Sequence, residues 1–286
     1  MALSGELVCG TRRIDLSVPR VMGVLNVTPD SFSDGGQFEG LPAAIDRAAL
    51  MVADGVDVID VGGESTRPGA EPVTLQQELE RVMPVIEALS CRFDVAISLD
   101  SSTPQVMREA VAQGACLLND VRGFRREGAV EAAVASGAAL CIMHMQGEPS
   151  TMQVSPQYTD VLSDVRDWLL ERASVLLAAG ADAASLMIDP GFGFGKTVEQ
   201  NYSLLAGLSR LAAGPYPVLA GLSRKSMIGA VTGRPVGQRV YGSVAAALIA
   251  VQQGARMVRV HDVPATVDAL RVFNKTQEFS SSGHTP

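Results

Sequence analysis

The chain has 286 residues, 47% of them hydrophobic and 19% charged, a balance that excludes wholesale disorder and supplies ample apolar material for one large core. Its net charge of −8 opposes nonspecific attraction to nucleic acid, so any anion site has to be built locally. No apolar run approaches the ~18 residues of a membrane span, and MALSGELVCGTRRIDLS lacks the basic-then-apolar pattern of an export signal, so a cytoplasmic protein is expected.

Strand-like LVCG and IDLS come first, readable as a short N-terminal strand or hairpin. From there one theme repeats: a short apolar run, a polar loop, then an Ala- and Leu-rich helical stretch, the alternation of βα units. The candidate strands are residues 21–27 (VMGVLNV), 56–61 (VDVIDV), 95–99 (VAISL), 116–121 (CLLNDV), 139–143 (ALCIM), 185–189 (SLMID), 217–222 (PVLAGL) and 257–261 (MVRVH). Helical signals follow them, for example PAAIDRAALMVADG and TLQQELERVMPVIEAL, with apolar residues at i, i+3 and i+4. Gly55, Gly114, Gly137, Gly180 and Gly254 each stand just before a strand, where a helix end in a short loop calls for positive φ.

Eight such units without a linker predict an α/β fold, a single (β/α)8 TIM barrel over residues 1–276, in preference to a doubly wound open sheet. The polar stretch 277–286 is expected to be a disordered tail. The loops after the first strand (TPDSFSDGGQFEG), the second (GGESTRPGAEPV) and the fifth (MQGEPSTMQVSPQ) are long, and long loops at a barrel's C-terminal face carry function.

Polar or charged residues sit at the C-terminal end of every candidate strand: Asn26, Asp60, Asp100, Asn119, His144, Asp189, the run Ser223, Arg224, Lys225, and Arg259 with His261. Strand ends meet water and are often polar, but a ring of carboxylates, amides and cations at the limits of apolar runs exceeds that. In a barrel these ends converge on one mouth, where barrel active sites lie. Asp100, Asn119, Asp189 and Lys225 combine acceptors, an amide and a cationic donor, a set suited to a flat heterocycle such as a pterin. Arg259 and His261, two apart on one strand, face the same way and with Asn26 suit a diphosphate. No HExxH, DxD or Cys/His cluster marks a metal cage, so a loosely held Mg2+ shared with substrate phosphates is the expectation.

VMGVLNVTPDSFSDGG and VIDVGGESTRPGA, followed in order by ISLD, LLNDVRG, MHMQG, IDPGFGFGK, GLSRKSMIG and RVHDV, resemble the motifs of the dihydropteroate synthase family over residues 6 to 275. The resemblance implies an enzyme that joins a dihydropterin diphosphate to para-aminobenzoate, releasing pyrophosphate. It assigns Asp100, Asn119, Asp189 and Lys225 to the pterin. Asn26, Thr66, Arg67, Arg259 and His261 fall to the diphosphate, with Asn26 also a ligand of Mg2+. Phe32, Thr66, Pro68, Phe194, Ser223 and Lys225 would surround the aminobenzoate. Asp100, Lys225, Arg259 and His261 carry the catalysis, and two loops close over the site to exclude water. A homodimer through outer helices and sensitivity to sulfonamides are implied too, since GGESTRPG and GFGFGK are both kept. Ser101, where threonine is frequent, and Tyr241, where a small residue is frequent, depart from the family pattern without removing a ligand.

The alternatives are a pterin-binding methyltransferase, which needs no diphosphate grip, and a noncatalytic paralogue. Blander readings hold for other residues. Asp60 is expected to bond nearby loop N–H groups, His144 to serve as core or as ligand contact, and Trp168 to be core. DPGFGFG reads as a turn shaping the pterin pocket, and Cys9, Cys91, Cys116 and Cys141 as buried thiols.

Overall fold

The computed structural model of the chain describes residues 5–27, 37–65, 73–148 and 151–281. An antiparallel hairpin comes first, β1 (Glu6–Cys9) against β2 (Arg12–Asp15), paired from Glu6 with Asp15 to Cys9 with Arg12. Gly10 opens its two-residue turn at φ +60°, a left-handed conformation that glycine adopts without a Cβ clash.

Eight βα units follow: β3 (Arg20–Asn26) with α1 (Gln37–Asp54), β4 (Val58–Gly62) with α2 (Leu75–Arg92), β5 (Ala96–Asp100) with α3 (Pro104–Ala112), and β6 (Leu117–Asp120) with α4 (Ala129–Ser136). Next are β7 (Ala139–Met143) with α5 (Val161–Ala178), β8 (Leu186–Asp189) with α6 (Val198–Ala206) and α7 (Leu208–Ala212), β9 (Leu219–Ala220) with α8 (Ser226–Thr232) and α9 (Val240–Gln252), and β10 (Met257–Val260) with α10 (Val263–Ser281). Neighbouring strands pair in parallel from β3 to β8, β3 pairs with β10, and β10 with β9. A parallel bridge between Ile188 and Val218, with Ile188 N–H donating to Pro217 O at 3.0 Å, closes the ring. The fold is therefore the TIM barrel, not the open sheet.

Local sequence explains the junctions. Gly55, Gly114, Gly137, Gly180 and Gly254 all take positive φ, between +68° and +115°, as the short loops before strands require. Thr74 and Gln77 form a reciprocal capping box at the start of α2, and Thr197 and Gln200 repeat it at α6, each worth about 1 kcal/mol.

Strand residues alternate between two cores. Val21, Ile59, Ile97, Leu118, Leu140 and Ile188 point outward and pack with helix residues such as Ala48, Leu89, Met107 and Leu169. Met22, Val58, Ala96, Leu117, Met187, Leu219 and Met257 point inward and form the barrel's lowest layer, against which Leu7, Cys9, Ile14 and Leu16 of the hairpin segment pack as a plug. Two residues farther along, the inward positions of five strands turn polar: Asp60, Ser98, Asn119, Asp189 and Arg259 stand in the next layer, and Asn26, Asp100, Ser223 and His261 lie nearer the rim.

Three expectations need correction. The stretch from residue 277 does not begin a disordered tail, because α10 continues to Ser281; polar residues suit the solvent side of a helix already nucleated by its buried Val263 and Val267. The strand expected at 217–222 shrinks to Leu219–Ala220, since the chain turns at Leu222–Lys225, where Lys225 N–H donates to Leu222 O at 3.2 Å. All four cysteines are free, yet Cys91 is exposed rather than buried.

Candidate active site at the barrel mouth

The centre of the mouth is held by Asp60, which is 0% exposed. Its Oδ2 accepts from Arg259 Nε at 2.6 Å and from Asn119 Nδ2 at 3.2 Å. Arg259 also donates through Nη2 to Asp100 Oδ2 at 2.7 Å, so β4, β5, β6 and β10 meet in one charged network. A guanidinium has five N–H donors and keeps donors for an anion after these two bonds. Asn119 Oδ1 is buried with no hydrogen bond among the described residues, an acceptor that a bound ring N–H would satisfy. Burial pushes the Asp100 carboxyl up to about 7, with Arg259 working against the rise and Asp60 adding to it.

Asp189 and Lys225 form the facing wall. Asp189 Oδ1 accepts from Gly191 N–H at 2.7 Å. The two side chains approach across Gly221: a Cβ there would stand 3.7 Å from both Asp189 Oδ2 and Lys225 Nζ. Lys225 Nζ donates to Phe192 O and lies 4.7 Å from the centre of the Phe194 ring, a cation–π distance. Burial lowers Lys225 to about 8 against the opposing pull of Asp189, and burial raises Asp189 against the pull of Lys225.

At the rim, a Cβ on Gly62 would sit 3.6 Å from Asn26 Oδ1 and 3.7 Å from Asp100 Oδ2, so these two oxygens flank that glycine. His261 Nδ1 lies 3.0 Å from Ser223 Oγ. Burial, then the charges of Arg259 and Arg224, lower His261 to about 4, which leaves a neutral imidazole near pH 7. Arg224 adopts φ +59°, an uncommon state for a side chain with a Cβ. It is held by the Asp262 carboxylate at 2.5 and 3.0 Å, by its N–H to Ser243 Oγ at 2.9 Å and by Arg239 Nη1 to its carbonyl at 2.9 Å. The left-handed turn projects Ser223 and Lys225, on either side of it, toward the mouth.

Asn26, Asp100, Asn119, Asp189, Phe194, Ser223, Lys225, Arg259 and His261 are thus gathered at one mouth. Phe32, Thr66, Arg67 and Pro68 lie outside the described residues. No three His, Cys, Asp or Glu side chains among the described residues group as a metal cage. The flanking oxygens of Asn26 and Asp100 are nevertheless the hard donors that Mg2+ takes, and a Mg2+ shared with phosphate needs few protein ligands.

The structure alters some roles and adds others. Asp60 bonds the side chains of Arg259 and Asn119 rather than loop N–H groups. His144 is buried beneath the fifth loop, with Trp168 edge-on at 5.0 Å. Arg122, from LLNDVRG, bonds Glu64 at 3.3 Å and Glu148 at 3.1 Å, tying the root of the second long loop to that of the fifth. Lys196 is buried under DPGFGFG. Neither basic residue has a sequence spacing that reveals its partner; only membership of a long-loop motif marks them.

The sequence profile of a family described as "Pterin binding enzyme" matches residues 22–261. The Dihydropteroate synthase of Haemophilus influenzae is 53% identical over 95% of this chain and 98% of its own. A Yersinia pestis dihydropteroate synthase solved with a sulfonamide drug complex superposes with TM-score 0.91 at 49% identity, covering 96% of this chain and 99% of that one. A Burkholderia cenocepacia dihydropteroate synthase complexed with 7,8-dihydropteroate superposes with TM-score 0.89 at 50% identity, covering 99% of this chain and all of that one.

Proposed function

This chain belongs to the pterin-binding enzyme family, and from that premise we propose that it catalyses the dihydropteroate synthase reaction. It joins 6-hydroxymethyl-7,8-dihydropterin diphosphate to para-aminobenzoate, giving 7,8-dihydropteroate and pyrophosphate. The carrying observation is the 2.7 Å bond between Arg259 and Asp100, by which a guanidinium from the deeper layer reaches the rim and joins the cations for the leaving diphosphate to the acceptors for the pterin. A pterin-binding methyltransferase has no diphosphate to hold and gives no reason for that rim.

The chain's residues divide the work. Asp189, Asn119 and Lys225 hold the pterin by its mixed donor and acceptor edges. Arg259, neutral His261 and Asn26 take the diphosphate, and charge that develops on the departing oxygen is stabilised by donors already in place. Burial works against the Arg259 charge, but Asp60 and Asp100 raise its pKa, so the cation persists. As the methylene C–O bond breaks, positive charge grows on the methylene and ring, and the Asp100 carboxylate faces it. The aminobenzoate amine then forms the new C–N bond and loses a proton. Phe194, Ser223 and Lys225 border the aminobenzoate, with Phe32, Thr66 and Pro68 as further contacts and Thr66 and Arg67 on the diphosphate. Mg2+, with Asn26 as its protein ligand, would when bound neutralise phosphate charge.

Sulfonamides, which imitate the aminobenzoate, compete for the same place beside Lys225 and Phe194. The protein works in the cytoplasm, in keeping with four free thiols; no helix among the described residues is long and apolar enough to cross a membrane. It acts as a homodimer through α8, α9 and α10, where Val231, Tyr241, Ile249, Val272 and Phe279 are exposed, since exposed large apolar side chains on outer helices suit an interface. The test is incubation with dihydropterin diphosphate, para-aminobenzoate and Mg2+, beside Asp100→Asn. Pyrophosphate and dihydropteroate from the wild type and little from the variant are expected; pterin binding without either product would overturn the reading.

A further inference from the structure

Lys196 is a buried lysine to which the reaction above gives no part. It is 3% exposed, and its Nζ donates to Gly191 O at 2.9 Å and Phe194 O at 3.0 Å, with His144 Nδ1 as a third neighbour at 3.0 Å. Three acceptors match the three N–H donors of an ammonium. Burial lowers Lys196 to about 7 against the pull of Asp189; in its ammonium form the third acceptor is the imidazole nitrogen, with the His144 proton on Nε2, and burial, then Lys196 itself, push His144 down to about 2.

The loop above this ammonium is coiled tightly. Gly191, Gly193 and Gly195 take φ of +67°, +78° and +57°, and the alternation turns the carbonyls of Gly191 and Phe194 inward to Lys196. Other bonds secure the loop's outside: Gly193 N–H to Asn201 Oδ1 at 2.7 Å, Gln153 Nε2 to Gly193 O at 2.8 Å and Tyr158 Oη to Gly195 O at 2.6 Å. What the loop presents to the mouth is aimed at one residue. The Phe192 carbonyl accepts from Lys225 Nζ, the Phe194 ring lies 4.7 Å from that nitrogen, and Gly193 is so close that an added Cβ would stand 2.9 Å from Lys225 Cδ.

We infer that Lys196 is the positioning residue for Lys225: by gathering the Gly191 and Phe194 carbonyls and His144 beneath the loop, it sets the wall that directs the Lys225 ammonium and the Phe194 ring at the aminobenzoate. The inference deepens the synthase reading and rests on it. Lys196 touches no reacting atom, so its effect concentrates on the substrate that meets Lys225 and Phe194 together. The pterin diphosphate also meets Lys225 and Asp189, which touch this loop, but it keeps Asn119, Arg259, His261 and Asn26, which do not belong to it, so its binding changes less.

The test is Lys196→Met, close in length and apolar, assayed by steady-state kinetics with both substrates and by thermal unfolding. The expected result is an aminobenzoate KM raised at least tenfold, with a rise in the dihydropterin diphosphate KM at least threefold smaller. Unchanged KM for aminobenzoate, or equal changes in both KM values, would overturn the inference. Should Lys196→Met give no folded protein, His144→Asn and His144→Leu decide it. Asn offers an acceptor to Lys196 and should hold the aminobenzoate KM within threefold of wild type, whereas Leu should raise it; equal values in the two would count against the inference. A wild type that forms no dihydropteroate would instead remove the reading beneath it.

Discussion

One carboxylate oxygen, Asp60 Oδ2, accepts from both Arg259 Nε at 2.6 Å and Asn119 Nδ2 at 3.2 Å. The same atom therefore aims the cation proposed for the diphosphate and the amide proposed for the pterin. Asp60→Asn keeps the shape and can turn its carbonyl oxygen to both donors, but it removes the negative charge opposite Arg259 and puts an NH2 donor where the buried Oδ1 stood without a partner. Both halves of the site should suffer, with kcat/KM for the pterin substrate falling about 100-fold, roughly 2.7 kcal/mol. Asp60→Ala, which leaves Arg259 without its inner partner, should also cost about 3–5 kcal/mol of stability in urea unfolding. Asp60→Asn kinetics within threefold of wild type would contradict this.

The pH dependence of kcat/KM should be bell-shaped and narrow. Asp100 titrates near 7 because burial disfavours its charge, and Lys225 near 8 for the same reason. Activity needs the Asp100 carboxylate and the Lys225 ammonium, so it falls as pH drops through about 7 and again as pH rises through about 8. Rates measured from pH 5 to 10 in matched-ionic-strength buffers check this. A flat plateau across that span would separate Asp100 and Lys225 from the rate.

Two glycines should respond oppositely to the same methyl group. Gly191 has φ +67°, and an added Cβ would lie 1.9 Å from the backbone oxygen of His144, which no side-chain rotation relieves. Gly191→Ala should destabilise by more than about 4 kcal/mol, the range reserved for severe clashes and strain. At Gly221 the added Cβ meets only ordinary contacts at 3.7 Å with Asp189 Oδ2 and Lys225 Nζ. Gly221→Ala should fold normally and yet weaken pterin binding at least tenfold by calorimetry, since the methyl enters the space between those two groups. Unimpaired pterin affinity in Gly221→Ala would displace the pterin from that space.

His144 contributes to acid sensitivity with a definite sign. Its folded pKa is lowered to about 2 from 6.5, so between those values the unfolded chain holds a proton that the folded chain lacks. The contribution is complete above 6.5 and is lost progressively as pH falls through the window, about 1.4 kcal/mol for the first unit. His144→Asn removes it, and Asn still offers an acceptor to Lys196, which burial lowers to about 7, so Lys196, His261 and Asp100 titrate in both proteins and cancel in the difference. The gap between wild-type and variant unfolding free energies should therefore shift by about 1 kcal/mol from pH 7 to pH 5.5. Parallel curves over that interval would show that His144 is protonated as readily in the fold as out of it.

The barrel was readable because short apolar runs, helical stretches and five pre-strand glycines all agreed, and the polar ring followed from strand ends in a closed sheet. Linear pattern failed where partners are set by the closed barrel. Asp60 and Arg259 are 199 residues apart, and nothing local tells a carboxylate that bonds loop amides from one that grips a guanidinium across the mouth. Lys196 looked like the last letter of a glycine-rich turn because its acceptors are carbonyls, which every residue possesses. The extent of α10 escaped for another reason: composition registers polarity, whereas an exposed helical turn is held by backbone bonds that polar residues do not forbid.

The hairpin segment under the strands, with Leu7, Cys9, Ile14 and Leu16 pressed against the lowest layer, stoppers the end of the barrel opposite the mouth. On the function proposed above, substrates and products would then share one entrance: a pterin at Asn119 and Asp189, in the deeper tier, would enter before an aminobenzoate beside Ser223, nearer the rim. A two-stranded plug at the end of the molecule farthest from the proposed chemistry would thereby order the traffic through it.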